Sequence, residues 1–140
     1  MPIYETKDDL LNEKSVIDFI SGIRPYTFRK LPQRYALDYA LIQDGDVVGW
    51  AEIKCRSCAS TDYADAMVSF FKVKAALELS RVSGLPAHLI VRWTDMTGVI
   101  NFYSDHQVRT GGRSDRGDTQ DIDVCAYYPI AGFQKLDPIC

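Results

Sequence analysis

The chain has 140 residues, 46% of them hydrophobic and 25% charged, and a formal net charge of −3. That length suits one compact domain, residues 1–140, and no apolar run reaches the roughly 20 residues needed to cross a bilayer. The charge excludes a simple electrostatic coat for DNA, whose signature is strong basicity, but not a metal-dependent enzyme, because bound cations cancel carboxylates gathered at a metal site.

The opening MPIYETKDDL is acidic and polar, unlike a signal peptide, so a cytoplasmic protein is expected. Thr6 to Gly22 reads as a helix. Thr6 with Asp9 three positions on marks its start and Gly22 its stop, and Leu10, Val16, Ile17 and Ile20 share one face, widened by Leu11 and Phe19. YTFRKL has strand character up to Pro32, and Tyr35 to Ile42 reads as a second strand. QDGD carries the Asp-Gly hairpin signal, and VVGWAEIKC is the returning strand. A long helix follows, with Ser60, Thr61 or Asp62 as N-cap and Gly84 and Pro86 at its end. Its expected core stripe is Val68, Phe71, Ala75, Leu79 and Val82. AHLIVRW is a strongly apolar strand, TDMTG a turn, and VINFYS another strand. From Asp105 the chain is loop-rich, with VCAYYPI one more short strand. Helix, three strands, helix and two strands predict an α/β or α+β domain with one mixed sheet flanked by helices.

Glu52 and Lys54 stand out in the returning strand. Alternate strand residues share a face, so both point the same way from an otherwise apolar segment. The hairpin decides where Asp38 lies. A three-residue turn, Asp44-Gly45-Asp46, sets Asp38 opposite Glu52, with Cβ atoms about 4.5–5.5 Å apart. A two-residue turn sets it opposite Ala51, on the other face. Bringing both acids together therefore requires the longer loop or a compensating bulge. Opposed carboxylates repel, and a hard divalent cation resolves the conflict, because magnesium takes one or two carboxylates plus water and phosphate oxygens. A lysine beside them supplies positive charge for a phosphate or an attacking water, which makes a phosphodiester-hydrolysis constellation. Taken singly, each would more often be structural, Asp38 as a strand-end cap and Glu52 with Lys54 as a solvated edge.

The four cysteines include one C-x-x-C, Cys55 and Cys58. A zinc adaptor would need a second pair or histidines at ligand spacing, and Cys125, Cys140, His88 and His106 do not provide it. Reduced thiols are the ordinary reading.

Asp38, a hairpin and Glu52-Ile53-Lys54 resemble the core of the PD-(D/E)XK nuclease superfamily, although Leu37 stands where a proline is usual. The resemblance is greatest to small, phage-type single-domain members. It is carried by Glu13, ALDYAL, EIKCR, VSFFK, IVRW and GGRSDRGD, from about residue 7 to 136. It implies a restriction-endonuclease-like αβββαβ core and Mg²⁺-dependent cleavage of DNA, with Mn²⁺ as substitute. Asp38, Glu52 and the Ile53 carbonyl would hold the metal, Lys54 would orient or deprotonate the water, and Glu13 on the first helix is the candidate additional acid.

Four basic residues are candidates for DNA contact. Lys72 lies roughly 40° from Val68 on a helical wheel, inside the apolar stripe, where a charge needs a partner; a stem that packs while its amine snorkels outward is the bland alternative. Arg56 follows the Lys54 strand. Arg113 and Arg116 in RTGGRSDRGDTQD suit bidentate phosphate contact, or are braced by Asp115 and Asp118. Trp50, Trp93 and Tyr63 read as core or rim. The expectation is a metal-dependent DNA nuclease, cytoplasmic or in the host cytoplasm, acting as a possible homodimer on branched or structured DNA. The rival is a catalytically inactive nucleic-acid-binding or structural protein that keeps the fold.

Overall fold

The computed structural model describes residues 7–112 and 122–136. In chain order these form α1 (Lys7–Ser21), β1 (Thr27–Lys30), β2 (Tyr39–Gln43), β3 (Asp46–Cys55), β4 (Asp65–Ser69), α2 (Phe70–Ser83), β5 (Ala87–Arg92), β6 (Thr97–Asn101), β7 (Gln107–Gly112), β8 (Ile122–Pro129) and β9 (Gln134–Lys135). The central sheet runs β1-β2-β3-β5-β6-β9, with β3 and β5 parallel and the other pairs antiparallel. A parallel pair needs a crossover, and β4 with α2 supplies it. The expected αβββαβ order is therefore present, with β4 interposed before the second helix.

The two faces of this sheet carry separate apolar clusters. On one, Val16 and Ile20 of α1 pack over Tyr39, Leu41, Ala51, Ile53 and Ile90. On the other, Val73 and Ala76 of α2 pack with Leu37, Leu89, Val91, Phe102 and Tyr128. Each fully buried aliphatic side chain contributes roughly 1.5–3 kcal/mol by leaving water. A second sheet, β4-β8-β7, joins the α2 side, where Ala66, Val68, Ala126 and Tyr128 are buried.

Three sequence expectations change. The strand foreseen from Tyr35 begins only at Tyr39, because Gln33–Tyr35 form a single 3-10 turn that ends on Ala36 in the left-handed region, φ 61°. The Leu31 amide donates to the Asp38 carbonyl across this loop, 2.8 Å, which closes β1 onto β2. The long helix does not start at Ser60, Thr61 or Asp62. Its N-cap is Ser69, whose hydroxyl accepts from the Phe71 amide at 3.3 Å, and Asp65–Ser69 is strand. Burial in that segment alternates, Ala66 and Val68 inside and Met67 outside, a period of two that helix-compatible residues conceal. The loop-rich tail after Asp105 holds the β7–β8 pair.

The buried face of α2 also differs. Val73 and Ala76 face the core, whereas Phe71 and Val82 are 51% and 73% exposed. Val68, which anchored the expected stripe, belongs to a strand, so it does not set the rotation of the helix.

The β2–β3 hairpin has a two-residue turn, not three: Gln43 pairs with Asp46, and Asp44 and Gly45 both have positive φ, 53° and 83°. This is the conformation Asp-Gly favours in a type I′ turn. The ladder then shifts. Ile42 pairs with Val47 but Leu41 with Gly49, so Val48 is an extra, bulged residue. Beyond the bulge Tyr39 pairs with Ala51, the last pair of the ladder, and Asp38 stands just before β2, where its carboxylate accepts from the Ile53 amide.

Candidate active site

β3 brings Glu52 into the space between the central sheet and α2, where it is 1% exposed. A carboxylate there needs compensation. Lys54, two residues along the same strand, puts its Nζ 3.4 Å from Glu52 Oε2. Lys72, in the first turn of α2, puts its Nζ 3.5 Å from Oε1 and donates to the Ala36 carbonyl at 2.6 Å. Its amine meets these two groups instead of snorkelling outward. Among the described residues Glu52 Oε1 still accepts no hydrogen bond. Burial, first, and the nearby Asp38 charge, second, raise the Glu52 pKa from 4.5 to about 7, while Lys54 and Lys72 pull it down.

Asp38 stands at the entry of β2. Its Oδ2 accepts the Ile53 amide at 3.2 Å, and its Oδ1 lies 3.7 Å from Lys30 Nζ. The bond to Ile53 ties Asp38 to the strand that carries Glu52. Lys30 also lies 3.5 Å from Glu13 Oε1, which accepts the Tyr39 hydroxyl at 3.0 Å. Glu13, on the α1 side of the sheet, therefore meets Asp38 through Lys30, while Glu52, Lys54 and Lys72 gather on the α2 side. Lys30 and Tyr39 are site neighbours that sequence reasoning missed. They face each other in the β1–β2 register, with Lys30 Nζ 4.9 Å from the Tyr39 ring centroid. The register is a readable signal only once the 31–38 loop is known.

Arg56 is half-buried and donates to the Met67 carbonyl at 2.6 Å, which joins the end of β3 to β4. Burial lowers its pKa. Arg113 and Arg116 lie outside the described residues. Trp93 is core, packed edge-on against Phe133; Trp50 is partly buried and donates to Ser83, and Tyr63 is exposed.

Among the described residues no group of three His, Cys, Asp or Glu side chains stands close enough to hold a metal, at Cys55 and Cys58 or elsewhere. The donor set at Asp38 and Glu52 fits a different kind of ion. Two hard carboxylates, one with an oxygen lacking any hydrogen bond, match a magnesium-type cation, which draws its remaining ligands from water and substrate.

The family described as "Phage putative PDDEXK endonuclease" matches residues 1–136. No curated protein matches the chain. Among solved structures, Hjc, a Holliday junction resolvase from the archaeal hyperthermophile Archaeoglobus fulgidus, aligns with a TM-score of 0.51 at 10% sequence identity, covering 64% of this chain and 74% of that one. At that identity the likeness is one of fold, the restriction-endonuclease-like core.

Proposed function

Because the chain belongs to the phage PDDEXK endonuclease family, we propose that it is a divalent-metal-dependent deoxyribonuclease with its active site at Asp38, Glu52 and Lys54. The observation that carries this reading is Glu52, buried in an apolar layer between two lysines, with Asp38 bonded to the next residue of its strand, Ile53. A carboxylate kept at such cost without a chemical role would be unusual.

Asp38 and Glu52, with the Ile53 carbonyl, would hold Mg²⁺, for which Mn²⁺ substitutes. Bound there, the ion supplies Lewis-acid stabilisation of phosphoryl charge and an acidified water. The chain's own residues do the rest. Lys54 holds Glu52 by one oxygen and offers its ammonium to the attacking water or to the phosphorane charge. Lys72 fixes the other oxygen of Glu52 and, through Ala36, the loop that leads to Asp38. Glu13 acts at one remove, keeping Lys30 against Asp38. Water attack on phosphorus makes the new P–O bond as the leaving oxygen departs with a proton.

Lys72, Arg56, Arg113 and Arg116 are proposed to contact the DNA backbone. Branched or structured DNA is the proposed substrate, supported by the fold shared with a protein named as a Holliday junction resolvase. The chain is proposed to act as a single domain, in a homodimer, in the host cytoplasm. Cleavage of linear, single-stranded, flapped and four-way DNA, measured with Mg²⁺ and with Mn²⁺, tests the assignment. Glu52→Ala and Lys54→Ala are each expected to lose at least about 100-fold in rate. Equal cleavage by wild type and both variants would sink it.

A further inference from the structure

Part of the expected apolar stripe of α2 faces solvent. Phe71 is 51% and Val82 73% exposed, and both line an open groove between α2 and the 33–36 turn, together with Arg34, Tyr35, Lys74 and Glu78, enclosing about 500 Å³. Tyr35 is 37% exposed, and the Arg34 guanidinium lies 6.0 Å from its ring centroid. Large exposed apolar groups gathered in one place mark a binding surface more often than chance exposure.

Two features say what fills it. First, the groove adjoins the candidate active site: Ala36, on its wall, gives its carbonyl to Lys72, the same ammonium that pairs with Glu52. Second, its chemistry combines flat aromatic rings with cations, Arg34 and Lys74, against the single acid Glu78. Rings stack bases and cations meet phosphates, the combination that binds single-stranded nucleic acid. Bases inside a duplex are paired and stacked and cannot enter.

We infer that this groove receives an unpaired nucleotide of the strand being cut, with Tyr35 and Phe71 stacking its base and Arg34 and Lys74 meeting its backbone. The substrate is then DNA with a single-stranded segment beside the scissile phosphate. This inference rests on the nuclease reading for the identity of its ligand.

The test measures anisotropy of a fluorescein-labelled single-stranded oligonucleotide, and of a blunt duplex of the same sequence, in EDTA. Wild type, Tyr35→Ala, Phe71→Ala and Tyr35→Phe are compared, with sedimentation of each protein alone. Each alanine variant is expected to bind the single strand about tenfold more weakly, with duplex affinity unchanged and Tyr35→Phe like wild type. Unchanged single-strand affinity overturns the inference, as does equal loss on both DNAs or absence of wild-type binding to either. Loss of self-association with single-strand binding intact overturns it in favour of a second copy of this chain as the occupant. Cleavage by wild type with Mg²⁺ is read in parallel. Binding as expected without cleavage overturns the nuclease reading and leaves the groove standing as a single-strand site.

Discussion

Glu52 combines near-complete burial with an ionisable carboxyl, and burial raises its pKa. Folded, it holds its proton up to about pH 7; unfolded, it releases it near 4.5. Between those values the native state binds more protons than the unfolded state, so stability falls as pH rises through this window. The group's contribution is fully present below 4.5 and lost above about 7, up to about 3 kcal/mol in size. In EDTA the urea midpoint of the wild type is expected to fall from about pH 5 to about pH 8, and Glu52→Gln to flatten that slope. Adding Mg²⁺ at the higher pH is expected to raise the wild-type midpoint and not that of Glu52→Gln, because a cation bound only to the native state stabilises it. Lys72→Ala removes one of two compensating ammonium groups, so it is expected to steepen the slope. That Glu52 and Lys54 share a face was legible in sequence, because two charges at a spacing of two in a strand point the same way. Lys30 and Tyr39 were not: their meeting with Glu13 depends on a loop whose course from Leu31 to Asp38 no periodicity describes.

At the scale of elements, hydrophobic period separated helix from strand where segments were long and failed where a strand ran directly into a helix. Asp65–Ser69 continues without a break residue into α2, and only its pairing with β8 reveals it as strand. Long-range pairing is invisible to a local window. The expected stripe failed with it, although the Lys72 amine does reach a carboxylate, that of Glu52. Ser69 carries both the end of β4 and the cap of α2, so Ser69→Ala is expected to cost about 1 kcal/mol in chemical denaturation. Gly45→Ala meets no neighbouring atom but must adopt φ +83°. It is expected to cost about 1–2 kcal/mol from backbone conformation alone, seen as a lower urea midpoint with an unchanged slope.

At the scale of the molecule, α1 and α2 clamp opposite faces of one sheet, and the candidate site lies where the two layers meet around Asp38. The proposal of a single domain predicts one unfolding transition. Trp93 sits in the α2-side cluster and Trp50 packs against it, bonded to Ser83, whereas α1 lies on the other face. Tryptophan fluorescence and far-ultraviolet circular dichroism are therefore expected to give coincident thermal midpoints. The overall architecture was legible because the order of elements alone narrows the choices. The second sheet was not, since β8, which joins β7 to β4, is a distant partner of β4 along the chain.

The bulge at Val48 gives the hairpin one residue more than its ladder uses. A chain lacking Val48 would run from the same Asp-Gly turn into the same pairing, with Gly49 still opposite Leu41 and Tyr39 still opposite Ala51. Losing a second residue would slip the register by one and turn Asp38 to the other side. The hairpin is thus buffered against one kind of copying error: loss of one residue here is expected to leave the ladder in register, and loss of two is not.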